Sequence, residues 1–193
     1  MSTYLPGDVL LVDDYGGPTD WLGGLIRAGE RARGDGGNVW THSALIVSAD
    51  GDIVEALQQG VVRSPISKYD GVRTKVLSLG VPADDPRRAY AARYALARLN
   101  EGYGVLDFIS LAFSLLFRTR LSTHVDGMPI CSELVARAVE AVTDHGFLYA
   151  PERVMPGDLD ATLSGVPPLP PLGFLARLRI LLSTTIKAVL GRL

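Results

Sequence analysis

Apolar runs rich in β-branched residues dominate the first eighty positions of the chain. The run "DVLLV", residues 8 to 12, follows Pro6-Gly7 and predicts a short buried strand. "THSALIVS" and "DIVEAL" flank the turn signal "ADG" and predict a β-hairpin. "GVVRSP" predicts another strand, and "RTKVLSL" predicts one that is reached through a polar loop. The pattern therefore predicts several strands before the first long helix.

Helical spacing of apolar residues replaces this pattern after residue 84. The segment 85 to 100, "DPRRAYAARYALARLN", has a proline near its start and predicts a helix whose arginines form a solvated face. The segment 103 to 117 is apolar but too short to span a membrane readily, so it predicts a buried helix. An apolar substrate wall and a membrane contact remain as alternatives. Further helices are predicted over about 21 to 33 and from Cys131 to about His145.

The end of the chain differs in composition from the rest. "PPLPPLG", 167 to 173, predicts a stiff proline-rich linker, so we expect one compact domain over 1–166. Residues 174–193 contain no acidic residue, and their apolar positions gather on one helical face, away from Arg177 and Lys187. This pattern predicts a basic amphipathic C-terminal helix. Three partners for it stay open: an anionic membrane surface, another protein and its own domain.

Charge and cysteine content limit the partners and the compartment. The 193 residues carry a formal net charge of −2, which gives no global reason to expect nucleic acid as a partner. A single cysteine excludes an intramolecular disulfide, and the N-terminus lacks the pattern of a secretory signal. We therefore expect a cytoplasmic protein, with peripheral membrane association through the tail left open. No cysteine or histidine pair has zinc-ligand spacing, so no metal or cofactor is expected.

The single cysteine is a candidate nucleophile. Cys131 begins the helix "CSELVARAVEAV", where free backbone N–H groups and the helix dipole lower a thiol pKa and can hold an oxyanion. Thiolate chemistry also needs a general base, normally histidine. His42 is the best candidate because it opens an otherwise apolar strand, whereas His124 lies in a loop-like segment and His145 near a helix C-terminus has a structural explanation.

Glu55, within "DIVEAL", is a candidate for orienting the histidine. If Asp50 and Gly51 form a two-residue turn, His42 faces Gln59 and Glu55 faces Ile46 across the hairpin. The two side chains then share a face but are offset by four residues, roughly 13 Å along ideal strands. Twist, a bulge or a different register must close this gap. If none does, Gln59 is the alternative orienting group.

The ordered motifs resemble a known family. "LPGDVLLV", "WLGGLIRAG", "WTHSALIV" with "DIVEAL", "EGYGVLDF" and "ICSELVARA" resemble the circularly permuted NlpC/P60 cysteine hydrolases, most closely the permuted papain-like amidases of the YiiX/YaeF type. The likeness spans about residues 5 to 160. It implies an α+β fold with an antiparallel sheet packed against helices. It also implies Cys131 as nucleophile, His42 as general base and acid, Glu55 as the orienting residue and Tyr103 at the site.

The resemblance implies hydrolysis of an amide or acyl bond without a cofactor. The substrates implied are peptide-type amides, including cell-wall peptides, or lipid acyl groups. Lecithin:retinol acyltransferase-like proteins share the permuted order, but "ICSELV" lacks their asparagine-cysteine-glutamate-histidine signature. Two alternatives remain: a catalytically idle binding or structural subunit in a virion or envelope assembly, and a membrane-surface acyltransferase or lipase.

Overall fold

The computed structural model describes residues 4–13, 39–57, 59–102, 131–143 and 146–165. This part of the chain forms a five-stranded antiparallel sheet and three α-helices. The predictions of an α+β fold class and of an antiparallel sheet are confirmed. The strands are β1 Val9–Val12, β2 His42–Ile46, β3 Asp52–Leu57, β4 Gly60–Pro65 and β5 Thr74–Leu77. The helices are α1 Pro86–Leu96, α2 Cys131–Glu140 and α3 Pro156–Leu163, with 3₁₀ helices at Ile66–Tyr69 and Pro151–Arg153.

The strand order is β4-β3-β2-β1-β5, which places β2 at the centre of the sheet. One sheet face packs against the three helices through residues such as Leu11 and Leu45. The other face carries Leu10 and Ile46, and Tyr69 of the first 3₁₀ helix packs against it. Because both faces of the sheet are covered here, β1 is apolar along its whole length, and β2 is apolar over residues 44 to 46, instead of alternating apolar and polar residues.

The turn between β2 and β3 is longer than the sequence predicted. Ile46 pairs with Ile53, so the loop comprises the four residues 48 to 51, and the prediction of a two-residue turn at Asp50-Gly51 is wrong. A two-residue type I′ turn needs positive φ at both central residues, but only Gly51 has one, at +88°. The Ser48 hydroxyl, which accepts from the Asp52 amide at 3.0 Å, holds the wider loop together.

Helix α1 is anchored by a buried ion pair. Asp85 caps its N-terminus by accepting from the Arg87 amide at 2.9 Å. Arg88, the third residue of the helix, is only 3% exposed. Its guanidinium contacts Asp8 at 2.7 Å and the carbonyl oxygens of Pro82 and Val81. The prediction that the arginines of this helix form a solvated face is therefore wrong for Arg88. An isolated buried cation is energetically costly, and the carboxylate of Asp8, the residue directly before β1, compensates its charge.

Two boundaries differ from the sequence interpretation. Helix α2 ends at Glu140, before the predicted end near His145, and α3 was not predicted at all. The sequence does contain signals for the start of α3. Pro156 lies in its first turn, and the Asp158 carboxylate accepts a hydrogen bond from the Met155 amide at 2.8 Å. The predicted helices at 21–33, 103–117 and 174–193 and the linker 167–173 lie outside the described residues. No helix within the described ranges is long and apolar enough to cross a membrane.

We predict that Arg88→Met destabilises the protein by about 3–5 kcal/mol, because it leaves the Asp8 carboxylate buried without its cation. Arg87→Met is the matched control, since Arg87 also pairs with an aspartate but its side chain is 48% exposed. Urea unfolding monitored by circular dichroism measures both variants. Equal losses of unfolding free energy in the two variants would contradict the anchoring role of the buried pair.

Candidate active site

Cys131 is the first residue of α2 and lies against the central strand of the sheet. Its side chain is buried, with a residue exposure of 2%. The sulfur accepts hydrogen bonds from the backbone N–H groups of Ser132 and Ser43. One of these groups belongs to the free N-terminal turn of the helix and the other to β2. The helix and the strand therefore both direct backbone dipoles at the thiol.

The Ser43 amide is free for the thiol because β2 and β3 separate. Val47 donates its backbone N–H to the Asp52 carbonyl oxygen, so odd-numbered residues of β2 direct their backbone groups toward β3. Pairing between the two strands ends at Leu45 and does not extend to Ser43, the next odd-numbered residue away from the turn. The Ser43 N–H, left without a β3 partner, instead meets the Cys131 sulfur. The end of the strand pairing thus creates the place that the thiol occupies.

His42 and Glu55 form a direct hydrogen bond. His42 Nε2 lies 2.8 Å from Glu55 Oε2, and both residues are buried. The pairing predicted from the two-residue turn, His42 with Gln59 and Glu55 with Ile46, is wrong. The observed register, continued along β2, brings Glu55 opposite position 44, so the offset from His42 is two residues instead of four. Diagonal neighbours of this kind lie about 7–8 Å apart, within reach of two long side chains.

The imidazole also contacts the thiol. A side-chain hydrogen bond joins His42 to Cys131. Because Glu55 engages Nε2, the ring nitrogen that remains for the sulfur is Nδ1. His42 therefore lies between the cysteine and the glutamate, and the carboxylate fixes the orientation of the ring.

Two residues that the sequence did not single out complete the surroundings of Glu55. The Tyr69 hydroxyl donates to Oε2, the oxygen that also meets His42. Lys68 Nζ lies 2.6 Å from Oε1. Both residues belong to the 3₁₀ helix Ile66–Tyr69, in a segment interpreted from sequence as a polar loop. The sequence offered only a weak signal, a tyrosine beside a lysine, because neither residue is near Glu55 along the chain.

The charges of these groups reinforce one another. Burial alone would lower the pKa of His42, but its bonds to Cys131 and Glu55 outweigh burial and raise the pKa to about 9. Burial alone would raise the pKa of Cys131, but His42 and the Ser43 and Ser132 amides lower it below its ordinary value. Both shifts favour the ion pair of a thiolate and an imidazolium over the neutral pair of a thiol and an imidazole.

Glu55 supplies the anion on the far side of the imidazole. Burial opposes its ionisation, yet the bonds from His42, Lys68 and Tyr69 lower its pKa to about 2. The carboxylate is consequently ionised at neutral pH and remains so well into the acid range. This arrangement can attack an electrophilic carbon and then supply a proton to the group that leaves.

Of the remaining candidates of the sequence analysis, Gln59 does not join this cluster. Gln59 is exposed in the turn between β3 and β4, and Glu55 takes the orienting position for which it was the alternative. Tyr103, His124 and His145 lie outside the described residues. Within the described ranges no group of three or more histidine, cysteine, aspartate or glutamate residues could hold a metal ion.

Comparison with known proteins gives no further assignment. No protein-family model matches the chain, and no curated protein matches it.

We predict that Glu55 makes the stability of the protein acid-sensitive. Its folded pKa of about 2 lies below the ordinary value of 4.5, so its stabilising contribution is present above 4.5 and is lost as pH falls toward 2. A shift of this size corresponds to about 3 kcal/mol of unfolding free energy. In Glu55→Gln this part of the pH dependence is absent.

Urea unfolding at several pH values between about 4.5 and about 2 measures the effect. Glu101→Gln is the control, since that side chain is 34% exposed and lies 3.9 Å from Arg98. A Glu55→Gln variant that loses stability on acidification as steeply as the unmodified protein would show that the carboxylate is not held ionised by its neighbours.

Proposed function

We propose that this protein is a cysteine hydrolase that cleaves an amide or acyl bond and has the permuted papain-like architecture of the NlpC/P60 class. The observation that carries the proposal is the position of His42, hydrogen-bonded to Cys131 on one side and to Glu55 on the other. A nucleophile, a base within reach of it and a third group that orients the base are the three parts of this kind of catalyst.

The order of these elements along the chain supports the permuted architecture. The strand that bears His42 precedes the helix that begins with Cys131, and Glu55 lies on the neighbouring strand. The thiol-bearing helix packs directly on the central strand of an antiparallel sheet. The resemblance of the sequence motifs implies the same order, with the histidine strand first and the cysteine helix last.

In the first half of the reaction the Cys131 thiolate attacks the carbonyl carbon, and a sulfur–carbon bond forms. The bond to the leaving amine or alcohol breaks, and the proton of the His42 imidazolium passes to that group. In this proposal the backbone N–H of Cys131, at the start of α2, stabilises the oxyanion. The products of this half are an acyl-enzyme and a neutral His42.

In the second half His42 acts as a base toward water. The water oxygen bonds to the acyl carbon, its proton passes to His42, and the sulfur–carbon bond breaks. The thiolate and imidazolium are thereby restored, and the product leaves as an acid. No step requires an oxidant, a reductant or a second substrate other than water.

The preferred substrates are peptide-type amides, including cell-wall peptides, with lipid acyl groups as the other class. The peptide class is preferred because the ordered motifs resemble amidases most closely. Membrane association would involve residues 174–193, which lie outside the described residues.

We predict that the protein forms a thioester on Cys131 when mixed with p-nitrophenyl acetate, a probe chosen to be small because the thiol is buried. Release of p-nitrophenolate and intact-protein mass spectrometry follow the reaction. Acylation of His42→Gln is expected to be slower by a factor of about 10² or more, and Cys131→Ser should show no adduct.

To identify the substrate class, hydrolysis rates are compared for peptide amides, cell-wall peptides and lipid esters at the same enzyme concentration. His42→Gln, checked for native circular dichroism, provides the comparison because glutamine keeps a hydrogen-bonding side chain in the strand. If Cys131 of the unmodified protein acylates no faster than in His42→Gln, the protein is not this hydrolase, and the idle binding subunit becomes the better description.

A further inference from the structure

We propose that Lys68 is a positioning residue that, together with Tyr69, keeps the buried centre electrically neutral in both halves of turnover. Lys68 contacts the Glu55 carboxylate and acts on the imidazole through it. The consequence for turnover rests on the proposed hydrolase function. The electrostatic coupling itself can be measured without any substrate.

The geometry leaves the Glu55 carboxylate a single orientation. Its Oε2 accepts from His42 Nε2 at 2.8 Å and from the Tyr69 hydroxyl, and its Oε1 accepts from Lys68 Nζ at 2.6 Å. Rotation of the carboxylate would break bonds at both oxygens at once. Two donors come from the 3₁₀ helix and one from β2, so the position of that helix determines how the imidazole is held.

The 3₁₀ helix is itself fastened to the site. Tyr69 is 3% exposed and belongs to the apolar cluster on its side of the sheet. Its ring lies 6.1 Å from the His42 ring, measured between centroids, and Lys68 Nζ lies 5.0 Å from the centre of the same tyrosine ring. The lysine side chain is 24% exposed, so most of it is buried against the protein.

Four groups of alternating charge form a row across the site. Before attack they are the Cys131 thiolate, the His42 imidazolium, the Glu55 carboxylate and the Lys68 ammonium, and their net charge is zero. In the acyl-enzyme the sulfur and the imidazole are both neutral, while the carboxylate and the ammonium still cancel. The net charge is again zero.

Without Lys68 the acyl-enzyme would hold an isolated carboxylate in a fully buried position. An uncompensated buried charge is strongly unfavourable, and here His42 could relieve it by keeping its proton. His42 would then be a poorer acid when the leaving group needs that proton. Lys68 therefore favours release of the proton by His42 while Tyr69 keeps the carboxylate in place.

Charged and titratable groups from several elements face Glu55 and His42 in the described part of the chain. Glu55 meets His42 from β2 and Lys68 and Tyr69 from the 3₁₀ helix. His42 meets Glu55 from β3, Cys131 from α2 and the ring of Tyr69. Of these, Lys68 is the cation whose removal leaves both the thiol and the imidazole intact.

Titration of the His42 ring by nuclear magnetic resonance tests the coupling, with His42→Gln identifying its signals. In Lys68→Met the pKa of His42 is expected to rise by about one unit above its value of about 9, since a nearby positive charge has been removed. Lys68→Arg should restore the original titration. Lys75→Met is the matched control, because Lys75 also lies 2.6 Å from a carboxylate, that of Asp160.

Lys68→Gln repeats the test if the methionine variant does not fold. A His42 titration that stays unchanged in the variants of Lys68, or that shifts equally in Lys75→Met, overturns the inference. This measurement needs only the folded chain, so its failure is distinct from failure of the hydrolase proposal, which a lack of acylation at Cys131 would reveal.

Kinetics give a second readout that a merely structural role would not produce. An amide leaving group needs the proton of His42, whereas p-nitrophenolate leaves without one. At neutral pH Lys68→Met is therefore expected to slow amide hydrolysis by about tenfold while acylation by the nitrophenyl ester changes little. Equal losses with both substrates, or no loss with either, would contradict the role assigned to Lys68.

Discussion

Burial of the Glu55 carboxylate is the constraint on which the site depends. A charge with no solvent exposure must be matched by donors and by opposite charge, and three side chains from two separate elements supply them. His42 is oriented by this requirement, and the 3₁₀ helix is fixed to the sheet by it. The interaction that stabilises the buried anion is thus the same one that aligns the base with the thiol.

The thiol depends in turn on how the sheet is built. β2 is paired with β3 only near their shared turn, and beyond Leu45 the strand edge is open to α2. The sulfur of Cys131 accepts the Ser43 amide at this opening and the Ser132 amide within its own helix. Fold and chemistry are linked at this point, because full pairing of the two strands would remove a donor that lowers the pKa of the thiol.

Much of the fold follows from local sequence signals. The apolar run at Val9–Val12 predicts β1, and the proline near the start of α1 predicts that helix. Both elements are predictable because residues adjacent in the sequence determine them. The register of the hairpin could not be predicted in this way. It depends on Gly51 alone having positive φ and on Ser48 bonding to Asp52, which selects a four-residue loop.

The site was predictable only in part, for a similar reason. Cys131 and His42 stand out because each is a reactive residue in an apolar setting. Lys68 and Tyr69 do not, since their role arises from a contact with Glu55 across the fold. Arg88 resembles the solvated arginines beside it, and only the position of Asp8 reveals that it is buried.

The ionisation of Cys131 is the most direct test of the account. It is the only cysteine in the chain, so the ultraviolet absorbance of the thiolate, measured against Cys131→Ser, reports on this sulfur alone. We predict that the thiolate is present at neutral pH and is lost only on acidification, and that His42→Gln moves its pKa upward, toward the ordinary value of 9.0. A thiol that titrates near that value in the unmodified protein, with no change in His42→Gln, would contradict the account.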